Sequence, residues 1–261
     1  MIDSLNAEKI KDFLPDKYNS LDILSFGEVD STNNIIRKMA EDGANEGCTA
    51  IASCQTAGKG RLGRSFFSPE DTGIYMSILL RPTFKAENSG LITTAAAVAV
   101  CKALEALGTE NPKIKWVNDI FVRSKKVCGI LTESSLKHNG SFDYAVLGIG
   151  INVYSPNNGF PDDLRNIAGF IFPEKQENLR NRLSALIIEE FFALYERLTD
   201  KSFFGFYKQH CFVLGKEITV IKSGEKEKKA TALDLDDRFR LLVDYGDKTE
   251  YLSSGEISIK I

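Results

Sequence analysis

The sequence predicts an α+β fold, a mixed-sheet domain over residues 1–210 joined to a small β-barrel over residues 211–261. Three features carry this reading. Helix-patterned and strand-patterned segments alternate as far as about Cys211. One strand among them, DYAVLGIGINV (143–153), is almost wholly apolar, as strands central to a sheet are. Beyond Cys211 the pattern changes to five short β runs, evenly spaced and separated by Gly, Asp and Lys turns.

In chain order, STNNIIRKMAEDG (31–43) starts on Ser/Thr, spaces Ile35, Ile36 and Met39 helically and stops at Gly43, which predicts a short helix. CTAIASCQTAG (48–58) is a buried strand running into a glycine-rich loop, and GIYMSILLRP (73–82) is a second strand ended by Pro82. A long helix runs from about Ser89, its expected cap, to Leu107, with Gly108 as the stop. Its apolar run contains Lys102 and Glu105 and reads as a core helix, not a membrane span. KIKWVNDIFV (113–122) and KVCGILTESS (126–135) are two strands joined by the tight turn Arg123-Ser124-Lys125. After the central strand, residues 154–173 are loop, and residues 177–198 form an amphipathic helix with Leu179, Leu183, Leu186, Ile187, Phe191 and Leu194 on one face. EITVIK, KKATALDLD, RFRLLVDYG, TEYLS and EISIKI are the strands of the barrel.

A net charge of -3 excludes a global basic field for nucleic acid, though not a local basic patch. The N-terminus is too charged for a signal peptide. The five cysteines are irregularly spaced with no C-x-x-C, which points to reduced, mostly buried thiols and a cytoplasmic protein. With only His138 and His210, a histidine-based zinc site is not expected.

The stretch GKGRLGRSFFSP (58–69) fits G-x-G-x-x-G, yet a dinucleotide loop needs a helix to begin at the glycines. Here Pro69 blocks a helix and a strand follows, so that reading fails. What remains is a glycine loop bearing Lys59, Arg61 and Arg64, suited to folding over a small polyanion. A solvated basic loop without a ligand is the plainer alternative. In KIKWVNDIFVRSKKVCGILTES, Lys115, Asn118 and Asp119 flank a buried Trp116, and Gly129 removes a side chain beside Lys126. Alone, these residues also read as a turn and an edge lysine. In LGIGINV, Asn152 is an amide in an apolar strand and needs a partner, backbone or ligand.

Together, in this order, the motifs resemble biotin protein ligases. G-K-G-R-L-G-R with F-F-S-P matches the family's glycine loop, K-W-V-N-D its K-W-P-N-D, and K-V-C-G-I-L-T-E its K-x-x-G-I-L-x-E. G-I-G-I-N-V matches intact, and spacing holds from Ser31-Thr32-Asn33 to Gly255-Glu256-Ile257-Ser258. The resemblance implies a catalytic domain of the biotin/lipoate ligase type with an SH3-like C-terminal barrel. It implies biotin and ATP as substrates, Mg²⁺ as activator, and a carboxylase's biotin carboxyl-carrier domain as acceptor partner.

Residue by residue, the resemblance makes Arg61 and Lys126 catalytic, closing over the carboxylate and the α-phosphate. It assigns biotin to Ser31, Thr32, Asn33, Gln55, Gly58, Lys59, Tyr75 and Gly129 with those two. It assigns ATP to Arg64, Phe67, Asn118, Asn152, Glu256 and Lys260, and Mg²⁺ to Asp119. Lys59 and Val117 stand where the family prefers Arg and Pro, losing a planar fork and a constrained turn. Only about thirty residues precede Ser31, too few for a winged helix, so DNA binding is not expected. No membrane partner is expected, and an open sheet edge leaves a homodimer open. The alternatives are a lipoate or octanoate ligase, against which the loop and the Ser31-Thr32-Gln55 set speak, and a non-catalytic biotin sensor, against which Arg61 with Lys126 speaks.

Overall fold

Strand pairing organises the chain into two sheets. The structure is a computed structural model that describes residues 3–222 and 225–253, and 257–260 as backbone. The first sheet takes its elements from α1 (Ala7–Asp12), β1 (Ile23–Val29), α2 (Thr32–Glu41), β2 (Thr49–Gln55), β3 (Gly73–Leu80), α3 (Gly90–Ala106), β4 (Lys113–Lys115), β5 (Asp119–Val122), β6 (Lys125–Leu136), β7 (Phe142–Asn152), α4 (Leu179–Tyr195) and α5 (Phe204–His210). The second is built from β8 (Glu217–Lys222), β9 (Lys228–Leu235), β10 (Leu241–Asp244), β11 (Thr249–Leu252) and β12 (Ile257–Lys260).

The seven-stranded sheet runs β1-β2-β3-β7-β6-β5-β4, with the apolar β7 in the middle as its composition requires. Only β1 and β2 pair in parallel, and α2 supplies the crossover that a parallel pair needs. The five-stranded sheet, β11-β10-β9-β8-β12, is antiparallel throughout.

Alternation along β3 divides the two faces of the large sheet. Ile74, Met76, Ile78 and Leu80 join the main core with α3 and α4, whereas Leu79 joins Ile36, Ala40 and Val146 under α2. The helix α3, apolar around most of its circumference, is buried between the sheet and α4, which accounts for a composition apolar enough to span a membrane. Buried inside α4 is Arg180, 1% exposed, which pairs with Asp3 at 3.2 Å and Asp71 at 3.1 Å and donates to the Gly73 carbonyl at 3.2 Å.

Several expectations are corrected. The segment 113–122 is two strands, because the chain reverses at Trp116, Val117 and Asn118 so that Lys115 faces Asp119. The Trp116–Val117 peptide is cis. Buried contacts hold this turn: Trp116 Nε1 donates to the Phe239 carbonyl at 2.9 Å and Tyr207 Oη to the Val117 carbonyl at 3.0 Å. Phe239 itself sits at φ 59° in a turn that the Asp236 carboxylate ties through the backbone N–H groups of Arg238 and Arg240. Ser89 does not cap α3 with its side chain, because a 3₁₀ turn over Ala86–Asn88 leads into the helix and leaves Ser89 helical. In α4, Leu186 and Leu194 are half-buried, since the helix turns Arg180, Asn181 and Ser184 inward as well. RFRLLVDYG enters the sheet only at Leu241, the preceding residues forming the Asp236 turn.

Candidate active site

The site begins with glycines placed in register. Gly129 on β6 faces Gly150 on β7, and Gly148 faces Ser77 on β3. Neighbouring strands without side chains leave a trough, and two side chains descend into it. A Cβ at Gly150 would lie 2.7 Å from the Phe66 ring, and one at Gly148 would strike the Asn33 amide. Above the trough is a cavity of ≈ 270 Å³.

One end of the cavity is polar and uncharged. Thr32 opens α2, and its backbone N–H donates to Gln55 Oε1 at 2.9 Å. Gln55 Nε2 donates in turn to Ser68 Oγ at 3.0 Å. The hydroxyls of Thr32 and Ser77 lie 2.7 Å apart, and Ser77 Oγ is 2.6 Å from Asn33 Oδ1. Ser31 is 1% exposed, and its backbone N–H donates to Asp30. The Tyr75 hydroxyl donates to the Pro69 carbonyl at 2.9 Å, and burial keeps it protonated far into alkali.

The other end is cationic. The glycine loop is a short hairpin, with Phe66 N–H donating to the Gly58 carbonyl and Gly60 N–H to that of Arg64, around a 3₁₀ turn at Arg61–Gly63. Arg61 Nη1 donates to Asn118 Oδ1 at 2.9 Å, and Asn118 Nδ2 to the Ile130 carbonyl at 2.9 Å. Lys126 pairs with Asp119 at 2.7 Å. Lys59 points back to Asn34, at 2.5 Å from its amide oxygen. Among the described residues, Lys59, Arg61, Arg64, Lys115 and Lys126 line the cavity against the single carboxylate of Asp119. Such an excess of cations favours an anionic ligand. Burial lowers the Arg61 pKa, opposed by Asp119 and aided by Arg64. Burial lowers Lys115 too, again against Asp119, with Lys126 and Arg64 adding to the fall.

The fold thus brings Ser31, Thr32, Asn33, Gln55, Lys59, Arg61, Arg64, Phe67, Tyr75, Asn118, Asp119, Lys126, Gly129 and Asn152 to one cavity. Gly58 stands behind it: a side chain there would meet the Phe66 carbonyl and Ser68, so its role is close backbone packing. Gly129 makes room for Phe66, whose ring would lie 3.2 Å from a Cβ there. Asn152 donates to the Gly169 carbonyl at 3.0 Å, tying the 154–173 loop to the sheet. Glu256 and the Lys260 side chain lie outside the described residues. Sequence reasoning assigned no site role to Lys115 and Phe66, which line the cavity, to Phe160, which meets Phe67 edge-on at 6.4 Å, or to Ser77, which stands behind Thr32 and Asn33. A small hydroxyl within the otherwise apolar and aromatic GIYMSILL was the available signal for Ser77. No group of three or more His, Cys, Asp or Glu side chains suited to a metal occurs among the described residues.

A model of the biotin/lipoate A/B protein ligase family matches residues 26–152, and a model of the biotin protein ligase C-terminal domain matches residues 213–260. The bifunctional ligase/repressor BirA of Bacillus spizizenii is 40% identical over 140 residues, covering 54% of this chain and 43% of that protein. The chain therefore spans less than half the length of that relative. The biotin–[acetyl-CoA-carboxylase] ligase of Mycobacterium tuberculosis is 28% identical over 92% of this chain and 89% of its own. Among solved structures, a biotin protein ligase from Aquifex aeolicus in complex with biotin and ATP superposes with a TM-score of 0.74 at 26% identity, covering 92% of this chain and 98% of that one. Its large sheet matching the first model and its C-terminal sheet the second, the chain belongs to the biotin/lipoate protein ligase family and carries the biotin protein ligase C-terminal domain.

Proposed function

We propose that the protein activates biotin with ATP and transfers it to one lysine of a biotin carboxyl-carrier domain. The observation that carries this is one cavity with a neutral hydrogen-bonding end, Thr32 with Gln55, and a cationic end, Arg61 with Lys126. A ureido ring suits the first; a carboxylate and a phosphate, which repel each other in water, suit the second. In the first step a biotin carboxylate oxygen bonds to the α-phosphorus, the bond to the β-phosphate breaks and pyrophosphate leaves. In the second the lysine amine attacks the acyl carbon, loses a proton and expels AMP. Arg61 and Lys126 offset the charge on the shared phosphate in both steps, and Arg64 at the mouth serves the leaving phosphates. Mg²⁺ enters with ATP: one carboxylate, Asp119, fits an ion carried mainly by phosphate oxygens.

ATP–pyrophosphate exchange with biotin, lipoate and octanoate in parallel tests this reading. Exchange with biotin alone is expected. Exchange with lipoate or octanoate instead would replace the substrate, and tight biotin binding without exchange would leave a sensor.

A further inference from the structure

At the uncharged end of the cavity, donors and acceptors can be assigned one by one. Glu133 pairs with Arg37 through Oε1 at 2.8 Å, and its Oε2 lies 2.7 Å from Asn33 Nδ2. An ionised carboxylate only accepts, so the Asn33 amide nitrogen faces it and the amide oxygen faces inward. That oxygen is 2.6 Å from Ser77 Oγ and cannot donate, so the one hydroxyl hydrogen of Ser77 goes to it. Ser77 can then only accept from Thr32, 2.7 Å away. On the other side of Thr32, Gln55 Oε1 at 3.1 Å already takes the Thr32 backbone N–H and is also an acceptor. Ser77, Thr32 and Asn33 are all buried, at 0%, 3% and 4% exposure, so water does not supply another partner from behind. Both protein neighbours of the Thr32 hydroxyl accept, and one of them takes its only hydrogen. Lone pairs alone remain for the cavity.

We propose that Ser77, Asn33 and the Glu133–Arg37 pair are positioning residues that commit the Thr32 hydroxyl hydrogen to the protein, so that Thr32 meets the substrate's ureido ring only as an acceptor of its N–H. This rests on the biotin reading above and gives it a mechanism of selection. A ring bearing an N–H finds a partner, whereas a ring bearing an acceptor at that place faces lone pairs. A site built around a substrate N–H rejects analogues lacking it more strongly than an apolar pocket rejects a missing methylene.

The test compares binding of biotin with that of its cyclic carbonate analogue, in which ring oxygens replace both N–H groups, by titration calorimetry with competition. Wild-type protein is expected to prefer biotin. Ser77→Ala removes the nearer acceptor and leaves only Gln55 Oε1 at 3.1 Å, so the Thr32 hydroxyl turns to a ligand acceptor more readily and the preference shrinks by roughly tenfold. Glu133→Gln, at a half-exposed position, lets the Asn33 amide reverse and shrinks the preference in the same direction. The double variant goes little further than Ser77→Ala alone, because the two act along one chain. If both ligands weaken equally in the variants, so that the preference is unchanged, the proposal is overturned and the residues merely shape the pocket. If wild-type protein binds no biotin, the functional reading itself falls before any variant is compared.

Discussion

Arg61 Nη1 donates to Asn118 Oδ1 at 2.9 Å, joining the glycine hairpin to the β4–β5 turn across 57 residues of chain. Asn118 is itself fixed, its amide nitrogen on the Ile130 carbonyl and its own carbonyl accepting from the Ile130 N–H. The hairpin is therefore anchored at one of its three charged residues, and that guanidinium is aimed before any ligand arrives.

From this, Arg61→Ala is expected to lower biotin-dependent pyrophosphate exchange by about 10²–10³-fold, the usual loss when a charge-stabilising donor is removed. Arg61→Lys keeps the charge but not the fork, and its rate should lie between the two. Equal rates in all three proteins would remove Arg61 from the chemistry.

Gly148→Ala places a methyl against the Asn33 amide, which Glu133 and Ser77 hold in place. Overpacking of this kind costs about 1–3 kcal/mol, and because it displaces the polar end of the cavity, biotin affinity should fall by roughly tenfold. Calorimetry on the folded variant reads it directly, and unchanged affinity would place biotin elsewhere.

Arg180→Met leaves Asp3 without its cation in the core and removes a partner from the part-exposed Asp71. Breaking a buried pair from one side costs about 3–5 kcal/mol, which urea denaturation should report as a lowered midpoint. A shift of less than 1 kcal/mol would mean that the carboxylates find water or become protonated at little cost.

Alkali should destabilise the protein through its buried thiols. Burial pushes the Cys211 pKa up to about 12 and raises Cys101 and Cys128 as well. A group whose folded pKa is raised adds stability that is complete below the unfolded value and is lost as pH climbs toward the folded one. The urea midpoint should thus hold to about pH 8 and fall towards about pH 11, less steeply in Cys211→Ala. A flat profile across that range would contradict burial of these thiols.

Much of this was legible in the sequence, for identifiable reasons. The apolar run of β7 announced a central strand, and Pro69 excluded a helix after the glycines. Arg61 stood out as a cation between glycines, whereas Lys126, alone an edge lysine, and Gln55 were singled out only through the family resemblance; the fold places all three at one cavity. Ser77 was not, because a small hydroxyl in an apolar strand reads as tolerated polarity until its neighbours are known. β1 escaped for another reason: as an edge strand it shows no clean alternation of buried and exposed residues. The Arg123-Ser124 turn was located, but not that both residues take positive φ, 49° and 61°, with Arg123 bound to the Phe170 and Ile171 carbonyls. A two-residue hairpin imposes that geometry on whatever residues it holds, and Arg and Ser do not announce it as Asn-Gly would.

The bond from Trp116 to the Phe239 carbonyl ties the turn between β9 and β10 to the cationic end of the cavity. Asn118 follows Trp116 by two residues, so whatever loosens the Asp236 turn loosens the grip on Arg61. In a genetic screen, inactivating alleles would then gather at Asp236 and Phe239, neither of which lines the cavity. The folding of the small sheet, in this sense, sets the aim of a guanidinium in the glycine hairpin.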